Sequence, residues 1–373
     1  MYLPEPTVQS ILAAVKEKKV GRDESVMILL AEEHSLDISE LIEVLSSSGI
    51  SFFGGVFPGL IYGEKSCRKG ALVLSVPIVE KPFLISGLEE ESFSLPQEWE
   101  NIHEQMEKKY TALIMVDGLA ANISLFLMSV FNKLGNAVNY LGGGAGSLSL
   151  EQKPCIFTEE GFFLNAAVVC FIRWESCLGV QHGWELIKGP LIATRTQKNV
   201  VAELNWEPAF SVYRRVVEMD SKKMFAGDNF FEIAKGYPFG ILKEGAENIV
   251  RDPIAVNERG ELVCVGEVPE NTVLGILKGS GDSLLNAAVK AATECIPAMG
   301  KDIKMPFVID CISRVLFLEE AFDKEVGAVK EVLKKLLKNQ PLQGILSLGE
   351  ISSSGEGFLE FFNKTIVVGV LYE

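Results

Sequence analysis

Residues 138–150 read VNYLGGGAGSLSL and hold four glycines within five positions: Gly142, Gly143, Gly144 and Gly146. Glycine-rich loops that cradle phosphates come in two common forms, and the segment fits neither. A Walker loop needs Gly-x-x-x-x-Gly-Lys followed by Ser or Thr; here Ser147 stands sixth from Gly142 and no lysine follows it. A dinucleotide loop needs Gly-x-Gly-x-x-Gly running into a helix. Ser147 takes the place of the third glycine, and the following SLSLEQKPC has a proline and no helical period. No helix N-terminus is delivered to meet an anion. The glycines therefore serve the path of the backbone. They sit where a strand turns, allowing positive φ and close approach. Two readings stay open: a tight turn alone, or a mouth where a small ligand lies against bare backbone.

Working outward from the glycines, a repeat emerges. Before them, TALIMVDG reads as a buried strand and LAANISLFLMSVFNKLG as a helix stopped by Gly135; after them, GFFLNAAVVCFIRW reads as another strand. The same order begins near residue 25. SVMILLAEE is followed by a helix opened by Asp37 and Glu40, then by ISFFGG and KGALVLSV. It begins again near residue 306, with MPFVIDCIS, a long helix over LFLEEAFDKEVGAVKEVLKKLLKNQ, then GILSLGE and FFNKTIVVGVLY. The places matching the opening glycines are Gly54 to Gly59 and Gly344 to Gly355. Between the second and third units, two hairpins are predicted over PLIATRTQKNVVAEL and ELVCVGEVPENTVLGILKG. Helices are predicted over EPAFSVYRRVVEM and, capped by Asp282, over GDSLLNAAVKAATECIP. Strands that are apolar throughout predict sheets covered on both faces.

Composition narrows the function classes. The 373 residues carry a net charge of −15, which opposes phosphate backbones and anionic lipid, so nucleic acid is not an expected partner. The seven cysteines include no C-x-x-C and mostly lie in apolar runs, as reduced buried thiols do. The three histidines, His34, His103 and His182, are not spaced with cysteines as zinc ligands are. The N-terminal MYLPEPTVQS lacks the cationic start of a secretory signal, and no run approaches the ~18 to 20 apolar residues of a membrane span. A cytoplasmic protein with no membrane insertion is expected. Neither G-x-S-x-G, H-E-x-x-H nor a kinase signature is present, so no catalytic residue, metal or cofactor is assigned.

Several stretches in fixed order resemble the FIST family, named for F-box and intracellular signal transduction proteins. They are SFFGGVFPGLIYGE, YLGGGAGS and VQHGWELIKGPLIATRTQKNVVAELNWEPAFSVY in one part, and YPFGI, IVRDP, DCISR, LGEI and NKT in the next. The resemblance implies a sensory module for a small ligand, with amino acids among the ligands proposed for the family. It implies an N-terminal extension over 1–24, a FIST N-terminal domain over 25–204 and a FIST C-terminal domain over 205–373. No kinase, cyclase or chemoreceptor output follows, so the signal is expected to pass to a separate protein.

The fold expected is α/β, with repeated β-α-β-β units, glycine-rich strand ends and two parts packed around a shared cleft. The candidate ligand-binding residues are Arg314, Glu350, Cys311, Arg251, His182, Gly143, Gly144 and Gly349. Arg314, in the apolar IDCISRVLF, is read either as half of a structural ion pair or as a fork for a ligand carboxylate. Glu350 either pairs with Arg314 or receives a ligand ammonium. Cys311 reads first as core packing, and Trp184 as packing at the domain junction. His182 could face a pocket. Arg251, before Asp252, is a local turn salt bridge or an anion contact. Asn363 and Thr365 bond locally at a strand start. Two rivals to the sensor stand beside it: an enzyme using Cys311 or the Arg314/Glu350 pair, and a purely structural interaction module.

Overall fold

The computed structural model describes residues 1–99, 102, 109–243, 247–338, 340–353 and 358–373; His103 and Gly355 lie outside these. The chain is an α/β protein in which three mixed sheets share one central pattern. In the first, Glu24–Ala31 runs parallel to Phe52–Phe57 and antiparallel to Ala71–Pro77. In the second, Thr111–Asp117 runs parallel to Asn139–Ala145 and antiparallel to Ala166–Ile172. In the third, Ile303–Cys311 runs parallel to Gln343–Ser347 and antiparallel to Ile366–Tyr372. Parallel strands need a crossover connection between them, and a helix lies in it each time.

The glycines lie inside the parallel strand rather than at its turn. Gly54 pairs with Ile28, Gly142 with Ile114 and Gly344 with Val308. A Cβ at these glycines would stand 2.1, 2.0 and 2.1 Å from the carbonyl oxygens of Ile28, Ile114 and Val308. Within residues 142–146, only Gly146 takes a positive φ, 137°. Close strand approach, not turn geometry, is what excludes a side chain at Gly142.

Alongside its glycines, each parallel strand accepts a hairpin from another unit. The hairpin Gly59–Tyr62 with Lys65–Cys67, which leaves the first unit, pairs with Gln343–Ser347 of the third. Ile156–Thr158 with Gly161–Phe163, from the second unit, pairs with Phe52–Phe57 of the first. Glu350–Ser353 with Leu359–Phe362, from the third, pairs with Asn139–Ala145 of the second. The exchange is cyclic, so every unit both gives and receives a hairpin, and each covers an edge that would otherwise be open.

Alternation along the strands sorts two faces. Ile28, Leu30 and Val73 turn outward beneath the helices Val8–Lys18 and Ile38–Ser47, whereas Met27 and Leu29 turn inward. The inward faces of all three sheets meet in a single core that includes Met115, Leu141, Met305, Ile309 and Ile345. The helices Ile123–Leu134 and Phe322–Leu337 cover the other two outer faces.

A fourth sheet lies between the second and third units in sequence. Its order runs from Glu185–Gln197 through Val273–Lys278, Phe239–Ile241, Ile249–Val256 and Leu262–Val265 to Val200–Leu204. Val200–Leu204 then pairs back with Glu185–Gln197, closing a barrel that draws strands from both sides of residue 204. The first expected hairpin is this pairing. The second does not form: Leu262–Val265 and Val273–Lys278 pair with different neighbours, because barrel closure places two strands between them. Two helix details also differ. Ser280, not Asp282, caps Gly281–Glu294, through a reciprocal bond with Ser283. The long third-unit helix breaks at Glu319, whose φ is 51°, into Ile312–Leu318 and Phe322–Leu337.

Candidate functional site

Where the barrel meets the ends of the second and third sheets, a cavity of about 650 Å³ opens. Three parts of the fold frame it. The turn after Thr111–Asp117 contributes Gly118, Leu119, Ala120 and Ile123; the Asp117 carboxylate fixes this turn by accepting from the N–H groups of Leu119 and Asn165, at 3.0 and 2.8 Å. The helix Ile312–Leu318 contributes Ile312, Ser313 and Leu316. The barrel contributes Arg251, Asp252, Cys264, Gly266 and Glu267 from its strand ends, with Lys198 and Asn199 from a hairpin turn. The wall is otherwise largely apolar, including Leu148, Phe231, Leu348 and Phe361. Concave, mostly apolar cavities with a few polar groups are the usual form of small-molecule sites.

Arg251 is the unusual member of this wall. It is only 5% exposed. Its Nε donates to the Glu267 carbonyl at 2.8 Å, and its Nη1 faces the Val250 and Phe361 carbonyls and Asn363 Oδ1 at 3.0 to 3.1 Å. These acceptors are neutral. No carboxylate among the described residues lies within ion-pair distance of the guanidinium, and Nη2 donates no hydrogen bond to them. Burial brings the Arg251 pKa down to about 10, so it remains charged at neutral pH. Gly266, at φ 81°, makes room for it: a Cβ there would sit 2.9 Å from Arg251 Nε. The neighbouring carboxylate is spoken for. Lys364 Nζ stands 3.0 Å from Asp252 Oδ2 as an ion pair, and both Asp252 oxygens are shielded from solvent. Burial nevertheless raises the Asp252 pKa, with Lys364 opposing.

Arg314 is placed differently. It is fully buried, lines neither large cavity, and has all five N–H groups directed at protein acceptors. Nε donates to Glu325 Oε1 at 3.1 Å, Nη1 to the carbonyls of His182 and Lys364 at 2.6 and 3.3 Å, and Nη2 to the Leu284 carbonyl and Glu325 Oε2 at 3.1 and 2.5 Å. Asp310 Oδ1 lies 3.2 Å from Nε. Burial alone would lower the Arg314 pKa, but Glu325 and Asp310 outweigh it and hold the charge in place. The opposite occurs at Asp310, which burial and the Glu325 charge push well above the usual carboxylate range.

Glu350 is not an ion-pair partner of Arg314. Its carboxyl accepts from Ser347 Oγ at 2.6 Å and from the Thr365 N–H at 3.2 Å, and burial raises its pKa to about 8. Cys311 is buried beside it, and burial and the Glu350 charge drive the thiol pKa well up. His182 is 5% exposed and accepts from the Trp184 N–H through Nδ1 at 2.8 Å. Its proton therefore sits on Nε2, 3.4 Å from Glu247 Oε1. Burial brings its pKa down to about 4. Trp184 packs on Phe317, donates to the Lys364 carbonyl at 3.0 Å and lies under the Lys364 ammonium. Asn363 bonds Arg251 as above, and Thr365 Oγ1 donates to the Asn363 carbonyl at 2.9 Å.

Thus Arg314, His182, Cys311 and Glu350 belong to the buried junction, and Arg251 alone of the eight candidates lines the 650 Å³ cavity. Gly143, Gly144 and Gly349 line neither large cavity. A Cβ at Gly143 would meet Ile309 and Ser347 at 3.1 Å, at Gly144 the Gly118 Cα at 3.0 Å, and at Gly349 the Phe361 ring at 2.3 Å. The local salt bridge expected between Arg251 and Asp252 does not form, since Asp252 pairs with Lys364; sequence reading missed Asp310, Glu325 and Lys364. Asp310 stands in an apolar run, PFVIDCI, as Arg314 does, whereas Glu325 and Lys364 have polar neighbours and carry no such signal. A second, wider cavity of about 930 Å³ lies beside Glu32, His34, Asp37, Asp117 and Lys153. Glu32 there accepts from the Leu148 N–H at 2.8 Å, and Asp117 is engaged as described.

Two family models match the chain, one after the other: the FIST N domain over residues 58–207 and the FIST C domain over residues 209–353. No curated protein matches it. No helix among the described residues is long and apolar enough to cross a membrane.

Proposed function

The chain belongs to the FIST family of signal-transduction sensor domains, and on that premise we propose that it binds a small metabolite between the barrel and the sheet ends and passes the occupied state to a separate protein in the cytoplasm. One observation carries the reading: a buried arginine without a carboxylate partner stands in the wall of a cavity of about 650 Å³. A buried cation costs several kcal/mol unless it is compensated, and a bound ligand can supply the compensation. The cavity's position favours signalling, because its wall is assembled from the barrel, the second unit and the third unit. A ligand there touches all three and can bias how they pack. The wider acidic cavity is a weaker candidate, since Glu32 and Asp117 in its wall already hold neighbouring backbone N–H groups.

The enzyme reading is disfavoured by chemistry. Cys311 is buried with a raised pKa, and the thiolate is the nucleophile. Arg314 has no donor left for a substrate. A thermal-shift screen of amino acids, small carboxylates and nucleotides tests the proposal, run with Leu316→Trp to fill the cavity. Saturation at about 100 Kd should stabilise the wild type by about 2.7 kcal/mol and leave the filled variant unmoved. A shift that is equal in both proteins would place the ligand elsewhere. A pull-down with and without the hit tests the partner; recovery of no ligand-dependent protein counts against the second half.

A further inference from the structure

The cavity's chemistry specifies more than its presence. Resting on the ligand-site reading above, we infer that the ligand is an anion with an apolar body and no ammonium group, its acid head seated on Arg251. Three observations carry this. First, the guanidinium lacks a carboxylate partner and retains two N–H donors on Nη2, which a carboxylate or similar oxyanion fits. Second, the wall facing that charge is dominated by Leu119, Ile123, Ile312, Leu316, Leu348 and Phe361, so the remainder of the ligand is desolvated against hydrocarbon. Third, an ammonium has little to meet. The Asp252 oxygens are shielded from solvent and faced by Lys364. Glu267 is the other carboxylate of the wall, and Lys198 is a further positive charge in it. With Asp252 held by Lys364, Arg251 and Lys198 outnumber Glu267, and the wall carries a net positive charge even though Glu360 and Glu267 act on Arg251 from beyond ion-pair distance.

Three compounds that share one skeleton separate the possibilities. Calorimetric titration with 3-phenylpropanoate, L-phenylalanine and 3-phenylpropanamide compares the acid, the same acid with an ammonium, and the neutral amide. The acid should bind, with the other two at least tenfold weaker. Arg251→Met should weaken the acid by about 10- to 100-fold while leaving the amide unchanged, as expected for loss of charge-assisted hydrogen bonds. Arg251→Lys, which keeps the charge but not the fork, should fall between them and guards against misfolding of the Met variant. Phenylalanine binding as tightly as the acid, and losing that affinity in Glu267→Gln, would overturn the inference while preserving the cavity as a ligand site. Equal binding of acid and amide, unaffected by Arg251→Met, would overturn the role of charge alone. Silence of all three compounds would also overturn the class, and the screen with Leu316→Trp would then decide separately whether the cavity is a site.

Discussion

Arg314 and Arg251 are buried on either side of Lys364 and Asn363, yet one is compensated and the other is not. Arg314 is held by Glu325 and Asp310, so its removal should act on folding. We predict that Arg314→Met lowers stability by about 3 to 5 kcal/mol, because it strands two buried carboxyl groups. Urea unfolding would measure this, and a loss below about 1 kcal/mol would contradict it. Glu350 gives a pH test. Its folded pKa, about 8, lies above its ordinary value of 4.5. Its contribution is therefore fully present below about pH 4.5 and is lost as pH rises through about 8. Glu350→Gln cannot ionise, so relative to the wild type it should gain stability from pH 5 to pH 8, by up to about 1.4 kcal/mol per unit. Urea midpoints at three pH values would show the divergence; parallel curves would refute it. Cys311, with its raised pKa, should alkylate far more slowly at neutral pH than the partly exposed Cys67.

At the scale of the strand, the three glycines facing Ile28, Ile114 and Val308 are interchangeable in their effect. Gly142→Ala should cost roughly 3 kcal/mol, since the new methyl overlaps a backbone oxygen that cannot move independently of its strand. Gly327 in the helix Phe322–Leu337 is the control: nothing lies within 4 Å of a Cβ there, and alanine should stabilise by about 0.5 to 1 kcal/mol. Thermal melts of both variants would check the pair. The central strands and helices of the units were legible because hydrophobic runs, caps and stop residues lie within one local segment. The purpose of the glycines was less so. Glycine permits both a positive φ and a close approach, and the sequence near Gly142 does not distinguish them; the position of the Ile114 carbonyl does. The buried arginines were visible as charges in apolar runs, but partners such as Glu325 and Lys364 come from other elements and only folding assigns them. Barrel closure was likewise hidden, because it pairs Val200–Leu204 with strands on both sides and leaves Leu262–Val265 and Val273–Lys278 apart.

Taken whole, the molecule couples its parts through exchanged hairpins and a shared barrel. Residues 1–204 separated from 205–373 would leave the edge of Asn139–Ala145 uncovered and open the barrel where Glu185–Gln197 meets Val273–Lys278 and Val200–Leu204 meets Leu262–Val265. We predict that neither fragment folds alone and that the intact chain unfolds in one transition; a folded 1–204 fragment, seen by amide dispersion, would contradict this. Communication from the cavity belongs to the same scale, because its wall joins the barrel to two of the units. Hydrogen exchange with and without the ligand giving the largest thermal shift tests that placement most directly. The account predicts protection concentrated in residues 118–124, 264–267 and 312–316. Protection centred instead on residues 32–39 and 146–155, beside the wider cavity, would contradict it.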